Sequence, residues 1–125
     1  MILFDTNIIV ETLKKNIQAI NTFQHIGAEN VSVSAVTAME LYFGALDKRE
    51  LMKIKKHIKL LRIIHVSPEI SEKAMNLIEK YAKSHALHIA DAFIAATAIH
   101  YQLELLTYNV KDFKFIENIK LYSGK

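Results

Sequence analysis

Four apolar residues, Met1 to Phe4, run without a break into Asp5, Thr6 and Asn7. A short unbroken apolar run bounded by polar residues is the pattern of a strand buried on both faces. Ile8, Ile9 and Leu13 then predict a short helix. Ile17, Ala19, Ile20, Phe23 and Ile26 predict a second one, stopped by Gly27 where helices favour a glycine. Val31 to Ser34 is β-prone, and Ser34 is placed to cap a helix over about 35–46. Leu51, Ile54, Ile58 and Leu61 form one apolar seam on a helix over about 47–61, and core packing is the expected use of so short a seam.

Ile63 to Val66 is a second candidate buried strand, and Ser67-Pro68 supplies an N-cap and an N1 proline for a helix reaching about residue 83. Ile89 to Tyr101 is apolar on nearly all sides, the mark of a helix inside the protein. Leu103 to Thr107 reads as the next strand, Tyr108 to Asp112 as a polar loop, and Ile119 to Tyr122 as a final short strand. Strands separated by helices predict an α/β fold with a parallel sheet wrapped by helices. Residues 1–125 contain no repeat or linker and are expected to form a single domain.

Composition narrows the chemistry. Half the residues are apolar (51%) and 23% are charged, which selects a globular chain over a disordered one. The absence of cysteine removes disulfides, thiolate catalysis and cysteine-based zinc sites. No apolar run approaches the roughly 18 residues of a membrane helix, and the start lacks the basic region of a signal peptide. A cytoplasmic protein with no membrane partner is expected. The net charge of +3 is unevenly spread: Lys48, Arg49, Lys53, Lys55, Lys56, Lys59 and Arg62 against Asp47 and Glu50 give a local +5. Such a segment suits a polyanion such as nucleic acid, although a basic face that simply keeps a helix soluble has the same composition.

The four aspartates are Asp5, Asp47, Asp91 and Asp112. Asp5, at a strand end, fits either the carboxyl edge of a parallel sheet, where ligands bind, or the cap of the following helix. Asp91 is the one formally charged residue between His88 and Tyr101; a first-turn acid is favoured by the helix dipole, but burial under an apolar helix demands a cation or donors. Val36, Glu40 and Phe43, with Met39, place Glu40 on an apolar stripe, either snorkelling at the core edge or binding a ligand. If these acids converge, their repulsion calls for a divalent cation, and all-oxygen ligation suits Mg²⁺ or Mn²⁺.

Asp5-Thr6-Asn7 after the first strand, Ala38-Met39-Glu40-Leu41, His88-Ile89-Ala90-Asp91-Ala92, and Leu106-Thr107-Tyr108-Asn109-Val110-Lys111-Asp112-Phe113 occur in an order that resembles the PIN domain, and within it the VapC-like toxins of toxin–antitoxin pairs. The resemblance spans the chain. It implies a central parallel sheet of four to five short strands flanked by helices, and a Mg²⁺- or Mn²⁺-dependent endoribonuclease. It implies metal-coordinating roles for Asp5, Glu40 and Asp91, with Thr6, Asn7 and Thr107 as polar supports. The fourth acidic position falls to Asn109 or Asp112; Asn109 carries no charge, so Asp112 is the stronger electrostatic candidate. The resemblance also implies an RNA substrate, a homodimer, and a cognate antitoxin lying in a groove between helices. Lys48, Arg49, Lys53, Lys55, Lys56 and Lys59 are the candidate RNA contacts.

Other chemistries fare worse. His85 and His88 lack a second matched pair and are expected in exposed or capping roles. There is no Gly-x-Ser-x-Gly turn, P-loop or dinucleotide glycine pattern. A phosphoaspartyl site on Asp5 would want further acids beside it, where Thr6 and Asn7 stand. A catalytically silent nucleic-acid-binding module of the same fold is the alternative from another functional class.

Overall fold

A computed structural model describes residues 1–124. Its strands are β1 (Ile2–Phe4), β2 (Val31–Ser34), β3 (Arg62–Ile64), β4 (Glu104–Leu106) and β5 (Lys120–Leu121). Its helices are α1 (Thr6–Leu13), α2 (Ile17–Ile26), α3 (Ala35–Phe43), α4 (Lys48–Ile58), α5 (Pro68–His85) and α6 (Ile89–Tyr101). The sheet order is β3-β2-β1-β4-β5, with every pairing parallel. The chain therefore moves outward from β1 to β3, then crosses back to β4 on the other side. That reversal puts the switch point, where open α/β sheets bind ligands, at the carboxyl ends of β1 and β4.

Because side chains alternate along a strand, β1 serves two cores. Leu3 faces α5 and α6 together with Leu105, Ile94, Ala95 and Phe113. Phe4 faces the other way, packing with Ile8, Ile9, Val31, Val33, Ile54 and Ile58. Four of the five alanines of α6 (Ala92, Ala95, Ala96 and Ala98) are buried, which confirms that helix as an interior element. The Leu51–Leu61 seam is core as expected, with Ile54, Ile58 and Leu61 all buried. Beside it His57 packs on Phe23, ring centroids 5.6 Å apart, and burial favours its neutral form.

Several expectations need correction. The segment expected as a buried strand at 63–66 is instead β3, a half-exposed edge strand with a neighbour on one side only. The helix starting after Ser34 stops at Phe43, at the Gly44 cap, rather than near 46. Ile17 is exposed, because it begins α2 outside the face that buries Ala19. Among the described residues, no helix is long and apolar enough to cross a membrane.

Candidate active site

The ends of β1 and β4 meet through a backbone bond, the Asp5 N–H donating to the Leu106 carbonyl at 2.9 Å. Asp5 is thereby fixed just after β1 as the extended N-cap of α1, its Oδ1 accepting from the Thr6 N–H at 2.8 Å. Asp5 both stands at the carboxyl edge of the sheet and caps α1, since capping uses one oxygen. The other, Oδ2, accepts from Thr107 Oγ1 at 2.7 Å across the switch point. Thr107 also accepts from the Asn109 N–H at 3.0 Å and stands at a longer 3.5 Å from Asn7 Nδ2. Asn7 Oδ1 in turn accepts from the Tyr108 N–H at 3.3 Å. Two strand ends a hundred residues apart are tied together by side chains of the kind expected to support the acids.

Glu40 reaches the site by a route other than the expected one. It is exposed, and so are its supposed stripe partners Met39 and Phe43; α3 buries Thr37, Ala38 and Leu41. The stripe was a misreading of which apolar face is covered. What turns Glu40 inward is Thr6, whose Oγ1 donates to Glu40 Oε1 at 2.6 Å.

Asp91 lies in the first turn of α6, half-buried. Burial, and then the charges of Asp5, Asp112 and Glu40, push its carboxyl from 3.8 up to about 6, with His88 pulling weakly the other way. Burial likewise raises Asp5, and Glu40 and Asp112 add to the rise, while the Thr107 hydroxyl and the Thr6 N–H oppose it. Asp112 sits in a 3₁₀ turn at Val110–Asp112, exposed, and its charge is felt by both aspartates. Asn109 begins that turn and offers the cluster a backbone N–H rather than a charge. Asp5 and Asp91 thus feel the charges of Glu40 and Asp112 at the carboxyl edge of the sheet. Neither ion pair among the described residues involves them.

No three of these acids share one coordination sphere among the described residues. The donor set nonetheless suits a hard divalent cation: oxygen donors only, negative in sum, and paired with no lysine or arginine among the described residues.

The basic residues of α4 lie apart from this cluster, on the helix surface, exposed. Lys53 is the exception, since it lines a groove of about 480 Å³ between α1, α3 and α4 that opens beside Thr6 and Glu40. Val10, Leu13 and Leu46 supply part of its apolar wall. His85 is exposed and stacks on Phe115. His88 occupies the N-cap position of α6 without a capping bond. Sequence reading passed over Thr37, a buried neighbour of Thr6; its position three residues before Glu40, on the same side of α3, was the available signal.

Comparison with known proteins gives a consistent picture. Residues 2–117 match the family model described as PIN domain. Ribonuclease VapC10 of Mycobacterium tuberculosis is 26% identical over 122 residues, covering 96% of this chain and 91% of that protein. A toxin–antitoxin complex from Klebsiella pneumoniae contains a chain 29% identical with a TM-score of 0.82, covering 100% of this chain and 98% of that one. VapBC2 from Rickettsia felis, bound to a DNA fragment from its promoter, contains one 27% identical with a TM-score of 0.82, covering 98% of both chains.

Proposed function

Since the chain belongs to the PIN domain family, we propose that it is a metal-dependent endoribonuclease and the toxin of a toxin–antitoxin pair, its residues acting as one nuclease domain in the cytoplasm. The observation that carries this reading is that Asp5 and Asp91, at the switch point, each feel the negative charges of Glu40 and Asp112, while neither ion pair among the described residues involves any of the four. Asp5, Glu40 and Asp91 would hold Mg²⁺ or Mn²⁺, with Asp112 as the fourth acid. A bound divalent ion supplies Lewis acidity toward the phosphodiester and lowers the pKa of a coordinated water. The chain's own contribution is to keep these carboxylates in place: Thr107 fixes one oxygen of Asp5, Thr6 fixes Glu40, and Asn7 holds the loop after β4 through the Tyr108 N–H. Cleavage of a structured RNA that requires Mg²⁺ or Mn²⁺ and stops with chelator tests the reading. Binding without cleavage under any divalent ion would favour the silent nucleic-acid-binding module.

The groove between α1, α3 and α4 is the seat we assign to an extended antitoxin segment, because part of its wall is apolar and it opens beside Glu40. A homodimer is also proposed: where α5 meets α6, Met75 and Ile89 are about two-thirds exposed beside Ile78 and Phe93. Light scattering at micromolar concentration should return twice the chain mass.

Lys55 and Lys56, exposed on α4, are expected to meet RNA phosphates. Reversing both to Glu should weaken RNA affinity and flatten its salt dependence by about one unit of slope for each phosphate no longer neutralised. An unchanged slope in a filter-binding series would leave α4 as a merely solvated face.

A further inference from the structure

Thr37, the third residue of α3, is completely buried, and its hydroxyl meets Thr6 Oγ1 at 3.0 Å. Three other helical threonines, Thr12, Thr22 and Thr97, turn their hydroxyls back to the carbonyl four residues earlier, the usual local partner for such a side chain. Thr37 instead reaches across to α1. Thr6, in turn, lies 2.6 Å from Glu40 Oε1. A hydroxyl has a single proton to give. The shorter, charge-assisted contact to the carboxylate takes the Thr6 proton, so the proton between the two threonines comes from Thr37. The network therefore runs one way, from the core through Thr6 to Glu40.

Glu40 needs such a hold. It is exposed, and a free glutamate there samples many rotamers. We propose that Thr37 is a positioning residue: from inside the core it orients the Thr6 hydroxyl and, through it, holds the Glu40 carboxylate toward the other three acids. The role rests on the ribonuclease reading for its purpose, but its structural content stands on the three side chains alone.

Thr37→Val removes the hydroxyl and keeps the shape. In the metal-free protein, the χ1 couplings of Thr6 should report one rotamer for wild type and averaged values for Thr37→Val. Calorimetry should show Mn²⁺ affinity falling about tenfold or more, the range for a side chain that orients a metal ligand. kcat should fall with KM for RNA unchanged, and Thr37→Ser should restore both. Thr6→Val cuts the same chain one link later, so adding Thr37→Val to it should cost nothing more; additive losses would overturn the proposal. So would wild-type Thr6 couplings and wild-type Mn²⁺ affinity in Thr37→Val, whatever its melting temperature. A wild-type protein that neither binds Mn²⁺ nor cleaves RNA would count against the enzyme reading, and the Thr6 couplings would still decide the role of Thr37. If Thr37→Val does not fold, Thr37→Ala, which also lacks the hydroxyl, supplies the same comparison against Thr37→Ser.

Discussion

Asp91→Asn is expected to lower RNA cleavage by about 10²–10³-fold, the cost of removing one group that stabilises charge in a transition state, while making the metal-free protein more stable. The two effects have one origin. Asp91 is half-buried at the start of α6 and faces the charges of Asp5, Asp112 and Glu40. Its amide replacement keeps the size of the side chain and removes both the repulsion and a metal-binding charge. Allowing for solvent screening of a half-exposed carboxylate, the gain in chelator should be about 1 kcal/mol, or roughly 4 °C in Tm. Saturating Mn²⁺ should reverse the ranking, since a ligand at a hundred times its Kd adds about 2.7 kcal/mol to the form that binds it. The mutant should gain much less.

The pH dependence follows with a definite sign. The folded Asp91 carboxyl titrates at about 6 against an ordinary 3.8, so between those values the native state holds more of its proton than the unfolded chain. Its stabilising contribution is complete below about pH 4 and lost as pH rises through 6. The stability advantage of Asp91→Asn in chelator should therefore be full above pH 6 and shrink toward zero below pH 4. Equal melting in chelator at both ends of that range, with cleavage retained, would reduce Asp91 to a helix-start acid.

Phe113→Ala should be the most damaging single truncation near the site, costing about 3–5 kcal/mol of a total in the range of roughly 5–15. Phe113 has no exposed surface and packs in the core with Leu3, Leu105 and α6. It directly follows Asp112, and its N–H donates to the Val110 carbonyl, closing the 3₁₀ turn that carries that acid. Melting should fall by more than about 10 °C. At temperatures where the variant stays folded, Mn²⁺ affinity should also drop, because Asp112 loses its anchor. A large fall in Tm with unaltered Mn²⁺ affinity would take Asp112 out of the metal-binding set.

Much of this molecule is written in local pattern. An apolar run ended by Asp5 gives a central strand and its carboxyl edge, an all-round apolar stretch gives the buried α6, and the order of the four acidic blocks gives the family. Patterns of this kind report period and termination, which neighbouring residues control. Glu40 shows the limit. Its helix has apolar residues on more than one side, and periodicity cannot say which side meets another element. The fold covers Leu41 and leaves Phe43 94% exposed. The bond that brings Glu40 to the site comes from Thr6, 34 residues away, and the one that fixes Asp5 from Thr107, 102 residues away. The charge of Asp112 reaches Asp5 and Asp91 from a 3₁₀ turn that Phe113 closes. The sequence determined which side chains were available at the strand ends. Only the packing of α1, α3 and the β4 loop around the switch point decided which of them meet, since contacts at such separations are set by the cores on the two faces of the sheet.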